Sequence, residues 1–158
     1  MSQTKYPMPK HIRDAVVCHC QGYEETREWY DKELQEIDGV HILQDGQPRG
    51  TRRPDPTARK ALTKVELDSS PRARIMVAIE QARVCIGDDL RNDKLRADLR
   101  DAIWESTLQP RAYPYEVWDL PTVYRDDFYE RKRKFIFMVA IQAGLINLPT
   151  VQRKMGVL

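Results

Sequence analysis

The sequence predicts an all-α fold, a helical bundle that closes on a C-terminal helix-turn-helix. Three observations predict it. Apolar residues recur at helical spacing over 75–86, 90–104 and 128–143. Start signals (Asp55-Pro56, Ser70-Pro71) and stop signals (Gly22, Gly87, Gly144) bracket those stripes. Over 115–143 a short helical segment, a turn at Pro121-Thr122 and a long helix follow one another.

Residues 1–8 read as a loose tail, and Pro9 opens a helix, where its missing N–H costs nothing. Ile12, Val16 and Cys20 form its inner side, and Gly22 ends it. A second helix runs from about Glu24 to Ile37 with Trp29, Tyr30, Leu34 and Ile37 on one stripe. Asp38-Gly39 and Asp45-Gly46 then signal turns, and Gln47 to Pro54 is rich in Pro, Gly and Arg, a solvated basic loop. Asp55 caps a helix over 56–67. At Ser70-Pro71 it is kinked or broken into two, and the stripe Ile75, Ala78, Ile79, Ala82, Ile86 carries on to Gly87. The next helix covers about 89–106, with Leu90, Leu95, Leu99, Ile103 and Trp104 inward and Asp88-Asp89 serving its dipole. Residues 107–114 connect it to a short helix, Tyr115 to Leu120. The last helix spans about Arg125 to Ala143, with Phe128, Phe135, Ile136, Val139 and Ala143 inward. The organisation that follows is an N-terminal helical pair with its basic loop (1–54), central helices (55–106), the helix-turn-helix (107–146) and a tail (147–158).

Composition narrows the function. Hydrophobic residues make up 41% of the 158, enough for a core, and charged residues 32%, so the surface is heavily charged. With 26 basic against 24 acidic side chains, any basic surface has to come from local segregation. No window approaches the roughly 20 apolar residues that span a bilayer, so no membrane partner is expected. The polar N-terminus lacks the apolar core of a signal peptide. Three cysteines, Cys18, Cys20 and Cys85, are an odd and sparse set, which fits reduced thiols and a cytoplasmic location.

The last helix carries the chemistry. Arg131-Lys132-Arg133-Lys134 spread around most of a turn, so some reach phosphates while the stems of others cover the core. Lys132 and Arg133 are the foremost phosphate contacts, joined by Arg131, Lys134 and Arg125. Tyr124 and Tyr129 lie at the N-terminal end, the part that enters a major groove in such motifs. Asp126 and Asp127 are read as stabilising the helix N-terminus rather than as base contacts. Arg49, Arg52 and Arg53 of the basic loop form a second candidate phosphate contact. Cys18-His19-Cys20 with His11 invites a metal, but residues two apart on a helix point about 200° apart and cannot share one ion, so buried thiols are the better reading. The chain holds no phosphate-binding glycine loop, no nucleophile elbow and no H-E-x-x-H pair, so neither catalysis nor a cofactor is expected.

Three stretches together resemble a family. The first lies around Tyr23-Glu24-Glu25-Thr26. The second runs from Arg49-Gly50 to Asp55-Pro56-Thr57-Ala58-Arg59-Lys60-Ala61. The third is Phe128-Tyr129-Glu130-Arg131-Lys132-Arg133-Lys134-Phe135-Ile136-Phe137-Met138-Val139-Ala140 with Gly144-Leu145. They resemble the phage-encoded late-gene transcriptional activators of the RinA/ArpU type, and the resemblance covers 10–146. It implies a helical body with a sigma-factor-like helix-turn-helix, binding to double-stranded DNA in a bacterial host, and activation of phage genes. Host RNA polymerase and a second copy of the chain enter as candidate partners. Pro121 and Asp126-Asp127 depart from the family's pattern, which has an apolar residue and Ser, Arg or Thr there. A phage packaging protein such as a small terminase subunit, and a pure protein-interaction module, are the alternatives.

Overall fold

The computed structural model describes residues 5–39 and 56–147. Among the described residues the regular elements are all helical: α1 (Lys10–Gln21), α2 (Tyr23–Gly39), α3 (Pro56–Ser69), α4 (Pro71–Val84), α5 (Asp93–Leu108), a single 3-10 turn (Tyr115–Val117) and α6 (Arg125–Gln142). The basic loop expected over 47–54 and the tail from Leu148 onward lie outside the described residues.

Local chemistry sets most of the boundaries. The Ser70-Pro71 signal breaks the chain into two helices: the Ser70 hydroxyl accepts from the Ala73 N–H at 3.3 Å, and Pro71 takes the first helical position. Helix α5 begins later than its sequence stripe suggests. The Asn92 side chain accepts from the Leu95 N–H at 3.1 Å, so Asn92 is the cap and Asp88-Asp89 lie in the preceding loop. Helix α4 correspondingly stops at Val84, short of Gly87. Gly87 takes φ +72°, and a Cβ there would sit 3.2 Å from Arg96 Cγ. At the far end Gly144 adopts φ +74° while Leu145 N–H bonds Ala140 O at 2.8 Å, closing α6.

The short helix expected over 115–120 is not formed. Only Tyr115–Val117 makes a 3-10 turn, because Pro114 and Pro121 leave too few residues to repay helix nucleation. Pro121-Thr122 is a turn as its sequence predicts, with Thr122 at φ +67°, a conformation costly for a β-branched residue. Burial of Leu120 and Val123 on either side holds it, together with the Tyr115 hydroxyl donating to Val123 O at 2.7 Å.

One core joins α1, α4, α5 and α6: Val16 and Cys20, then Ile79, Ala82 and Ile86, then Leu99 and Ile103, then Phe128, Phe135 and Val139. Six consecutive residues of α6, Phe135 to Ala140, are buried except for half-buried Met138. Six successive side chains point all round a helix, so this half of α6 is enclosed. Around it stand α1, α4 and α5, and Tyr6 of the N-terminal segment lies 5.5 Å from Phe137, ring to ring. Helix α2 has no buried residue. It is held by Tyr23 Oη donating to Glu80 at 2.7 Å, by Arg27 on the same carboxylate at 3.1 Å, by Tyr30 on Asp68 at 2.6 Å, and by Arg72 over the Trp29 ring at 4.5 Å.

Two variants probe this packing. Phe128 is fully buried against Tyr115 and Tyr129. Phe128→Ala is expected to lower unfolding free energy by about 3–5 kcal/mol in a urea titration. Thr122→Asn, which tolerates a positive φ, is expected to raise it by about 1 kcal/mol. A destabilised Thr122→Asn protein would mean that the threonine side chain itself holds the turn.

Candidate nucleic-acid interface

The run Arg131 to Lys134 divides in two. Arg131 turns inward, its side chain only 19% exposed. Its two terminal nitrogens donate to the two oxygens of Asp89 at 2.7 and 2.8 Å, and its Nε donates to Asp127 at 3.0 Å. A planar guanidinium on two carboxylates is a strong, oriented clamp. It fastens the α4–α5 loop to α6, and it gives Asp89 a role other than the helix-start role its sequence position suggests. Asp127 serves twice, in the first turn of α6 and as an i,i+4 partner of Arg131.

Lys132 also turns inward. Its Nζ donates to Ser106 O at 2.8 Å and to Ser106 Oγ at 2.9 Å. Ser106 O belongs to the last turn of α5, where carbonyls have no partner within the helix. Lys132 therefore caps that end, and burial pushes its pKa down. Gln21 does the same at Leu108 O, 3.2 Å away. Arg131 and Lys132, two of the cations expected at phosphates, thus make internal bonds that a phosphate would have to displace.

The remaining candidates are more open to solvent. Arg125, Asp126, Arg133 and Lys134 are exposed, Tyr129 and Glu130 are half-buried, and Tyr124 is 79% exposed. Arg125, Tyr129 and Arg133 follow one another at i, i+4 and i+8 on a single line. Arg125 reaches Glu116 at 3.3 Å and lies over the Tyr129 ring at 5.9 Å. Tyr129 is further fixed by accepting from the Tyr115 N–H at 3.5 Å. Glu130 is engaged by Lys5, which lowers its pKa. The N-terminal half of α6 thus keeps an open polar front while the C-terminal half is enclosed. Arg49, Arg52 and Arg53 lie outside the described residues.

Sequence spacing could not have singled out Asp89, Ser106 or Lys5, since each meets α6 from a distant part of the chain. Among the cysteines, Cys20 is buried, and that burial pushes its thiol up to about 12, whereas Cys18 and Cys85 are exposed. The expectation of buried thiols thus holds for Cys20 alone. Among the described residues no group of three or more His, Cys, Asp or Glu is placed to hold a metal ion, and no helix is long and apolar enough to cross a membrane.

The clamp has a pH signature. Arg131 holds the Asp89 carboxyl at about 2, below its ordinary 3.8. A depressed carboxylate stabilises the fold above the unfolded-state value and loses that contribution as pH falls through the folded one. Melting temperature is therefore expected to drop between about pH 4 and pH 2, and to drop less in Asp89→Asn and in Arg131→Ala. Equal slopes for the wild type and both variants would show that the clamp does not contribute to stability.

Comparisons with protein families, with curated proteins and with solved structures find no match to this chain.

Proposed function

We propose that this chain is a DNA-binding transcriptional regulator of the phage late-gene activator type, meeting double-stranded DNA with the N-terminal half of α6. The observation that carries the reading is the asymmetry of that helix. A helix that reads a groove needs an anchored back and a polar front concentrated at its N-terminal end. Phe128, Arg131, Lys132 and Phe135 anchor the back, and Tyr124, Arg125, Asp126, Tyr129 and Arg133 line the front. In this reading the 3-10 turn at Tyr115–Val117 and the turn at Pro121-Thr122 take over from the first helix and turn of a helix-turn-helix, the first helix itself being absent. The sequence resemblance to the RinA/ArpU activators supports the same reading, with host RNA polymerase as the further partner of an activator.

Roles follow from exposure. Arg133 and Lys134, with Arg125 at the other end of the line, supply phosphate contacts and affinity. Tyr124 and Tyr129 sit where base edges would be met. Arg131 and Lys132 hold the frame. The surface is not strongly basic, so discrimination in this reading rests on the front residues rather than on bulk charge.

The test is binding of the purified chain to fragments of the genome around its own gene, at several salt concentrations. Arg133→Ala with Lys134→Ala is expected to weaken binding to every sequence alike and to lower the slope of log K against log salt by roughly one to two. Tyr124→Ala is expected to reduce the preference for the target over random DNA. Lys132→Ala is expected to cost stability and leave the salt slope unchanged. Unchanged affinity and slope in the Arg133/Lys134 double variant would remove α6 from any DNA contact.

A further inference from the structure

Helix α3 is apolar on its outside. Ala58, Ala61, Leu62 and Val65 follow one another at i, i+3, i+4 and i+7, and all are exposed, Leu62 by 63% and Val65 by 61%. The opposite side does the packing within the chain: Leu67 is buried, Tyr30 donates to Asp68, and Lys60 donates to Asp38 O at 3.3 Å. An amphipathic helix normally turns its apolar stripe to the core. Here a second stripe, of coiled-coil spacing, faces away from the chain that carries it.

The charges beside the stripe identify what covers it. Arg59 and Glu66 are seven residues apart, so they share one flank of the stripe, and the point midway between them falls beside Leu62. Neither has an ion-pair partner among the described residues. A two-fold axis that pairs two copies of a helix antiparallel keeps each flank on its own side and reverses the direction along the helix. Arg59 of one copy then meets Glu66 of the other, and Glu66 meets Arg59, while Leu62 packs on its own copy at the centre and Val65 packs against Ala58 and Ala61 of the other copy. A parallel pair would instead set this flank against the opposite one, where Lys64 and Asp68 already pair with each other at 3.8 Å.

We infer that α3 is a self-association surface, on which a second copy of this chain docks antiparallel through Leu62 and Val65 with reciprocal Arg59–Glu66 pairs. The inference is independent of the DNA reading, since α3 carries none of the α6 front. A helix of 14 residues offers a small interface, so the dimer forms in a concentration-dependent way.

Sedimentation of the full chain over a range of concentrations tests this. The expected result is a shift from 18.5 kDa toward twice that mass as concentration rises. Leu62→Glu is expected to weaken the dimer roughly tenfold or more with an unchanged helical spectrum, since the residue makes no buried contact within the chain. Arg59→Glu and Glu66→Arg are each expected to weaken self-association, because each sets like charges opposite one another. Mixing the two single variants restores both pairs and is expected to give heterodimers in preference to either homodimer. A monomer at every concentration, a larger ring, or a dimer indifferent to Leu62→Glu and to the charge exchange would overturn the proposal.

Discussion

Burying α6 requires a place for Arg131 to Lys134, because at about 100° per residue four successive side chains cover most of a helix's circumference. Two of them cannot avoid the interior. A buried cation without partners is costly, so each inward cation must find acceptors that the fold already leaves unmet. Arg131 finds the carboxylate of Asp89 and the first-turn Asp127, and Lys132 finds an orphan carbonyl at the end of α5. The positions of the α4–α5 loop and of the α5 C-terminus relative to α6 follow from those two solutions.

The same device recurs where α4 gives way to α5. Arg96 donates to Gly87 O and Leu90 O, and Arg100 donates to Ile86 O and Val84 O. Arginines on α5 thus bond carbonyls at the end of α4 and in the loop that follows it, where the helix dipole also favours positive charge. Part of the chain's 32% charged content therefore serves the frame rather than solvation. This is also why a basic run is a poor guide to a phosphate surface: within α6, the division into frame and front is set by which acceptors lie nearby.

Two surfaces remain after the frame is built. One is the front of α6 from Tyr124 to Lys134, polar and carrying an exposed aromatic ring. The other is the outer side of α3, apolar and flanked by Arg59 and Glu66, which form no ion pair among the described residues. They differ in chemistry as ligand classes differ: mixed hydrogen-bonding groups with cations suit a polyanion with readable edges, and a self-complementary apolar stripe suits its own copy. The α2–α3 pair is attached chiefly by tyrosine–carboxylate bonds and arginine–ring contacts, with Leu67 as the buried residue of α3.

The sequence by itself determined the helices and their inward faces. Apolar spacing placed Val16, Ile79, Leu99, Ile103, Phe128, Phe135 and Val139 in the core, and Ser70-Pro71 and Gly144 marked ends, because these signals act within a few residues of chain. It overextended the helix at 115–120, where flanking prolines left no length for nucleation, and it started α5 at Asp89, which pairs with Arg131 instead. For the proposed DNA contact it named Tyr124, Arg125, Tyr129, Arg133 and Lys134 together with Arg131 and Lys132 as one surface. Only the tertiary structure turned those two inward, since their partners, Asp89 and Ser106, are 42 and 26 residues away in the chain. Spacing along a helix fixes which way a side chain points relative to its neighbours; what stands in that direction is decided by packing.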